Sequence, residues 1–284
     1  MSLNDNQKRA LIHHQNIFMQ AGAGTGKTTL LTHRYLYLLH QHPHLDARHI
    51  LAITFTDKAA GEMLNRIHHL ISDNHNLPYI TPALKKRLLP TLNQAKISTI
   101  HAFCNSLIKT NPERLNIDPH YGLLETEETT FLINQCIQET IQTLLENQDP
   151  ALNKILMLYP YQQCKKMLAQ LIDKRNISTS WFNTYQTQSQ NETQNLTTQK
   201  ALALLKTLQP IYQQCLKHYE TTKKEQGKLD YTDLQLLAHT LLKQDTIRHN
   251  LQTQIAFIMV DEFQDTDPLQ WQIIAKLCHD NSPL

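Results

Sequence analysis

Apolar residues recur along this chain in two registers. "HILAITFT" (49–56) is a continuous apolar, β-branched run of strand length. Asp57 to Ser72 then repeats apolar residues at Ala59, Met63, Ile67 and Ile71, which is one face of a helix. "AKISTI" (95–100) predicts a second short strand. "IAFIMVDE" (255–262) predicts a buried strand ending in two acids, followed by a helix through "DPLQWQIIAKL" (267–277). Ile17, Phe18 and Met19 predict the end of a further buried strand, and Thr28 to Leu39 the helix after it. From about 106 to 223 the register is helical only. Ile133, Ile137, Ile141 and Leu144 form one stripe; Leu204, Leu208, Ile211, Cys215 and Tyr219 form another, which Pro210 is expected to kink. "QTQSQNETQNLTTQ" (186–199) has one apolar residue and predicts an exposed loop.

This alternation predicts an α/β fold: a parallel-sheet domain whose two halves, 1–105 and 224–284, are separated by an all-helical insertion over 106–223. No internal repeat interrupts it. A length of 284 residues suits one or two domains with a substantial core. No run of eighteen apolar residues occurs, and the start, "MSLNDNQKRAL", is too polar for a secretory signal, so no membrane span and a cytoplasmic location are expected. The five cysteines are odd in number, widely spaced and never arranged as CxxC, which argues against a disulfide framework or a zinc site. Lysines and arginines exceed acids by 27 − 25 = +2, so charge does not by itself announce a nucleic-acid binder. The sixteen histidines are scattered and read as surface or packing residues.

Three of the six glycines fall within five residues, at Gly22, Gly24 and Gly26, directly ahead of Lys27, Thr28 and Thr29. Glycine belongs where backbone takes positive φ or approaches a ligand closely. Strand, glycine loop, Lys-Thr and helix together describe a phosphate cradle, in which backbone N–H groups wrap phosphates, lysine meets their charge and the hydroxyl reaches Mg²⁺. The eight residues here are Ala21, Gly22, Ala23, Gly24, Thr25, Gly26, Lys27 and Thr28, with Ala21 in place of the usual first glycine. The alternative is a flexible turn before a helix. The third predicted strand delivers Asp261 and Glu262 to its C-terminal end, where α/β sheets bind ligands. Asp261 would hold the metal through water, and Glu262 would orient or deprotonate an attacking water. The competing reading, acids that merely open the next helix, suits Asp265 or Asp267 better than this pair.

"LNDNQ" (3–7), "AGAGTGKT" (21–28), "TFTDKAAGEM" (54–63), "STIHAFC" (98–104), "LDYTDL" (229–234) and "DEFQDTDPLQ" (261–270) occur in the order and approximate spacing of UvrD/Rep-type superfamily 1 DNA helicases, which the chain resembles. "STIHAFC" and "DTDP" resemble the RecB/AddA branch, the helicase–nuclease subunits, more than UvrD proper. The resemblance implies a RecA-like P-loop NTPase lobe with ATP and Mg²⁺ as cofactors. Gln7 would bond the adenine edge, Gln264 would sense the γ-phosphate, and Asp265 would brace the loop. Gln270 would link nucleotide state to the next motif. Thr54, Phe55, Thr56, Thr99 and His101 would lie along a track for single-stranded DNA, and the helical insertion would touch the duplex at the junction ahead. Hydroxyls suit phosphates there and an aromatic ring suits a base, although Phe55 and Phe103 fit a core equally well. Asp57 stands where the family usually has Asn, and a carboxylate repels phosphate.

After "CHDNSPL" the family continues into a strand bearing GDxxQSIY and a second RecA-like lobe with the arginines that complete the ATP site. The expectation is therefore an ATP-binding lobe of a DNA repair or recombination motor, hydrolysing ATP poorly by itself. A second lobe or a helicase–nuclease subunit would be its partner. The alternative is a non-catalytic nucleotide- or DNA-binding module. A small-molecule kinase shares the phosphate loop but not "DEFQD".

Overall fold

In the computed structural model of the chain, which describes residues 5–12, 17–20, 22, 26–73, 77–178, 181–182 and 196–278, the backbone divides into two compact units. One joins residues 1–114 to 237–284, and the other is 115–236.

The first unit is organised by three parallel strands. β1 (Ile50–Thr54) lies between β2 (Lys96–Thr99) and the strand Phe257–Val260, in register Ile53↔Val260 and Thr54↔Thr99. Every residue of β1 is buried, which is why its sequence is unbroken apolar rather than alternating. Helices α1 (Asp5–Ile12), α2 (Lys27–Gln41), α3 (Asp57–Ser72), α4 (Pro82–Leu88) and α5 (Ile100–Lys109) accompany it. Leu36, Leu39, Met63, Ile67, Ile71 and Leu88 share one core with Ile50. The α3 limits match the sequence reading, but Ala60 rather than Ala59 is the residue turned inward. Tyr35 is fully buried and donates its hydroxyl to the Ala47 carbonyl at 3.0 Å, satisfying the one polar atom it takes inside.

The strand expected at Ile17–Met19 is not formed: these residues are irregular, and Phe18 is 75% exposed with its ring edge toward Phe263. Three consecutive apolar residues carry no periodicity of their own, so a strand reading there rests on the neighbouring loop alone.

The second unit begins with α6 (Pro112–Leu115) at its boundary and the two-residue β3 (Gly122–Leu123). Then follow α7 (Thr126–Glu146), α8 (Pro150–Leu158), α9 (Tyr161–Asp173), α10 (Leu196–Glu225) and β4 (Lys228–Leu229). β3 and β4 pair in parallel, which corrects the expectation of an insertion without strands; two residues are too short to show an alternating pattern. Ile133, Ile137, Ile141, Leu208, Ile211, Cys215 and Tyr219 meet in the core of this unit. α10 continues through Pro210 as one helix. Residues 196–199, expected in the exposed loop, open α10; the rest of that stretch, 186–195, lies outside the described residues. No helix breaker lies between Leu196 and Ala203, so helix is permitted there.

α11 (Tyr231–Leu241) crosses the division, and α12 (Asp245–Gln254), β5 (Phe257–Val260) and α13 (Pro268–Leu277) complete the first unit. Asp267 caps α13, accepting from the Leu269 and Gln270 N–H groups at 2.7 and 3.0 Å, while the Gln270 side chain accepts from the Asp267 N–H at 3.4 Å. No helix among the described residues is long and apolar enough to cross a membrane.

Within 115–236, "LDYTDL" builds a buried charge cluster. Arg175 donates to Asp230 and Asp233, both at 2.6 Å, and Lys223 donates to Asp230 at 2.8 Å and also to Asp233. The Tyr219 hydroxyl donates to Asp230 at 2.6 Å, and Lys223 sits over the Tyr219 ring. Two cations thus meet two anions with the carboxylate lone pairs engaged, which offsets much of the cost of burying the charges, although Arg175 Nε stays without an acceptor.

Candidate nucleotide site and flanking track

The site lies at the C-terminal end of the sheet. Gly26 caps α2 with φ +84°, a left-handed conformation that glycine adopts without strain, and a Cβ placed there would lie 3.4 Å from the Gln7 side-chain nitrogen. α1 is held beside α2 by Arg34, which donates to the Ala10 and Leu11 carbonyls at 2.7 and 3.1 Å. Gln7, Gly26 and Lys27 are thereby set close together. Gly22 is exposed, whereas Ala21, Ala23, Gly24 and Thr25 lie outside the described residues.

Lys27 opens α2, and its ammonium donates to the Glu262 carboxylate at 3.2 Å. Glu262 itself has φ 51° and ψ 44°, an uncommon conformation for a residue with a Cβ, and its N–H donates to Asp261 Oδ1 at 3.0 Å. Gln264 Nε2 donates to the same Glu262 oxygen and, at 3.3 Å, to Asp265. The Thr28 side chain lies near the Asp261 carboxylate and slightly favours its charged form. Thr29 receives a long contact from Arg66, at 3.5 Å.

The two adjacent acids are pushed apart in acidity. Burial raises the Asp261 pKa, as does the charge of Glu262, against the pull of the Glu262 N–H, Lys27 and Thr28. Glu262 is held below its ordinary value, chiefly by the Gln264 hydrogen bond and then by Lys27. Such a split between neighbouring carboxylates is the pattern expected where one acid serves a metal or a proton and the other stays charged. An ammonium, a hydroxyl and two carboxylates at a helix N-terminus fit a nucleotide triphosphate with Mg²⁺: Lys27 and Gly26 for phosphate, Thr28 and Asp261 for the metal.

The neighbouring residues are those expected to form a DNA track. Thr54 is buried and donates its hydroxyl to the Thr56 carbonyl at 3.0 Å. Thr56 caps α3, accepting from the Ala59 N–H at 3.1 Å, and Thr99 caps α5, accepting from the Ala102 N–H at 3.2 Å. Thr99 also donates to Asp57 at 3.2 Å, which gives that unusual carboxylate a partner. Phe55 is 66% exposed whereas Phe103 is buried, so the two phenylalanines left open by sequence separate cleanly. His101 is partly buried, and burial lowers its pKa against the opposing charges of Asp267 and Asp57. Motif reading did not single out Arg34 or Arg66. Their only signal is an arginine in α2, which follows the glycine loop, and one in α3, which follows β1.

Residues 3–284 match the family described as UvrD/REP helicase N-terminal domain, and the chain belongs to it. Relatives of two kinds accompany the match. The chain is 25% identical over 274 residues, 96% of its length, to a probable DNA helicase II homolog of Mycoplasma capricolum, covering 32% of that protein. It is 33% identical over 135 residues to an ATP-dependent helicase/nuclease subunit of Clostridium kluyveri, a match covering 47% of this chain and 11% of that one. To the protein of the same name from Exiguobacterium sibiricum it is 31% identical over 170 residues, 59% of this chain and 14% of the other. The chain therefore spans a third or less of the length of these relatives. The family is one of ATP-dependent DNA helicases.

Proposed function

We propose that the first unit is the ATP-binding lobe of a motor that moves on single-stranded DNA during repair or recombination. The observation that carries this reading is the contact of Lys27 with Glu262, which brings the loop-to-helix junction of Lys27 and Thr28 against the strand end of Asp261 and Glu262, where α/β sheets bind phosphates. Lys27 and Gly26 hold the phosphates of ATP, Gln7 faces the nucleotide's base end, and Thr28 and Asp261 hold Mg²⁺. The metal supplies charge neutralisation of the phosphates. Glu262 accepts the proton of the attacking water, with Gln264 fixing the orientation of its carboxylate. Phe55, with Thr56, Thr99 and His101 beside it, gives a strand of DNA one exposed ring and several polar groups. The hydroxyls of Thr54, Thr56 and Thr99 serve the backbone first, so their part in the track is to set its shape. The relatives named as helicase/nuclease subunits support a nuclease-bearing partner or neighbouring domain for the complete motor.

On these 284 residues alone, nucleotide binding without DNA-stimulated turnover is expected. The test is binding of a fluorescent ATP analogue, together with ATPase rates with and without single-stranded DNA, for this chain and for Lys27→Ala. Saturable binding lost in Lys27→Ala supports the reading. Equal binding by both chains overturns it, and robust turnover abolished by the substitution overturns the claim of poor hydrolysis alone.

A further inference from the structure

Away from Lys27 and Glu262, the first unit carries a groove of about 570 Å³ between the end of α11, α12 and α13. Its walls include His239, Arg248, Gln252, Trp271 and Lys276. Gln252 fixes the floor: its side-chain nitrogen donates to the Lys276 and Cys278 carbonyls at 3.1 and 2.7 Å, tying α12 to the end of α13. Arg248 is paired with Asp245 of its own helix at 2.7 Å, and that acid is largely exposed on the rim. Two of the five guanidinium N–H groups at most are occupied by such a contact, which leaves donors for an anion. Lys243 adds a further exposed cation near His239. Burial lowers the His239 pKa, and the nearby charges of Lys243 and Lys276 lower it further.

Trp271 supplies the other half of the chemistry. It lines the groove, remains 36% exposed, and meets Phe263 edge-on with ring centroids 5.6 Å apart. An indole surface flanked by an arginine and a lysine is the combination that binds a base by stacking and its phosphates by charge. An acidic peptide would satisfy the cations and leave the indole without a partner.

We propose that this groove is a second contact site for single-stranded nucleic acid, in addition to the residues at the ends of β1 and β2. Trp271 stacks a base, and Arg248 and Lys276 meet the flanking phosphates. The inference rests on the reading that the chain acts on DNA, and it assigns a role to α12, which none of the six motifs includes.

The experiment uses the full chain carrying Trp181→Phe, which removes the other of the two tryptophans and leaves Trp271 as the reporter. Its emission is followed while a twelve-nucleotide oligodeoxythymidylate is added, and a labelled copy of the oligonucleotide reports total binding by anisotropy. The expected result is saturable quenching of Trp271 over the concentrations at which anisotropy rises. Arg248→Ala and Lys276→Ala each weaken binding and reduce the slope of log K against log salt by about 1, whereas Lys276→Arg retains that slope. Binding by anisotropy with unchanged Trp271 emission overturns the proposal, as does equal quenching by polyglutamate of matched charge. Absence of oligonucleotide binding also overturns it. In that case the fluorescent ATP analogue reports separately whether the nucleotide site stands.

Discussion

The Lys27 ammonium rests 3.2 Å from the Glu262 carboxylate, joining residues 235 positions apart in sequence. On the proposed function, Lys27 serves the phosphates and Glu262 the attacking water. An incoming phosphate must displace that contact. The pair is partly exposed, so it is worth about 0.2–1 kcal/mol. Glu262→Gln is therefore expected to bind nucleotide about two- to fivefold more tightly. Any hydrolysis, in this chain or a longer one, should fall by about 10²–10⁴. Titration with a fluorescent ATP analogue measures the first effect and phosphate release the second; weaker binding by Glu262→Gln would contradict the displacement.

Gly26 offers a second test. Its φ of +84° costs a residue bearing a Cβ about 1–2 kcal/mol, and that Cβ would press toward the Gln7 side chain. Gly26→Ala should lower stability by that amount in thermal or urea unfolding and weaken nucleotide binding as well. A variant with wild-type stability and affinity would show that the left-handed turn is dispensable.

The charge cluster at Asp230 predicts a pH dependence. Although burial alone would raise its pKa, Arg175 and Lys223 hold the Asp230 carboxyl well below the usual carboxylate range. A carboxyl depressed in the folded state stabilises above its unfolded pKa of about 3.9 and loses that contribution as pH falls below it. Helix content of residues 115–236 should therefore be insensitive to pH near neutrality and drop in acid. Asp230→Asn leaves two cations under-compensated and is expected to cost about 3–5 kcal/mol at pH 7, with a shallower acid transition. Circular dichroism against urea at pH 7 and pH 3 measures both.

Thr99 carries two structural bonds, so its substitution separates scaffold from track. Thr99→Val removes the α5 cap and the partner of Asp57, and should destabilise by about 1 kcal/mol. Thr99→Ser keeps both bonds and should leave stability within about 0.5 kcal/mol. If single-stranded DNA affinity falls for valine but not for serine, the hydroxyl matters to the track through shape or contact; equal affinity for all three chains removes Thr99 from it.

How far sequence leads here depends on how much of a segment packing dictates. β1 is apolar because both faces are covered, β5 is apolar though only Met259 is buried, and α3 shows one buried face, so their limits could be read within a residue or two. The placement of Lys27 and Thr28 at the start of a helix, and of Asp261 and Glu262 just past a strand end, could be read from the glycine loop and the apolar run beside them. The Lys27–Glu262 contact and the left-handed Glu262 were not, since they depend on chain segments meeting in space. Phe18 shows the opposite error: an apolar residue expected in a strand interior lies largely exposed, with its ring edge toward Phe263. "LDYTDL" looks like one motif among six; its two aspartates turn out to be met by Lys223, just upstream, and by Arg175, distant in sequence, neither marked by any pattern.

The smallest sheet in the molecule has a consequence for how this architecture arises. Gly122 donates to the Gly227 carbonyl at 2.9 Å, and Leu124 to that of Leu229 at 2.8 Å, so the chain enters and leaves the helical stretch through adjacent, parallel strands. Seen from the strands that flank it, the whole intervening stretch is a loop already tied at its neck. Its length is then almost irrelevant to the host, because the closure entropy is borne at the tie and grows only slowly with what lies beyond. Helices could be lengthened, exchanged or lost there while the three parallel strands keep their register, which makes this neck the place where such chains are free to diverge.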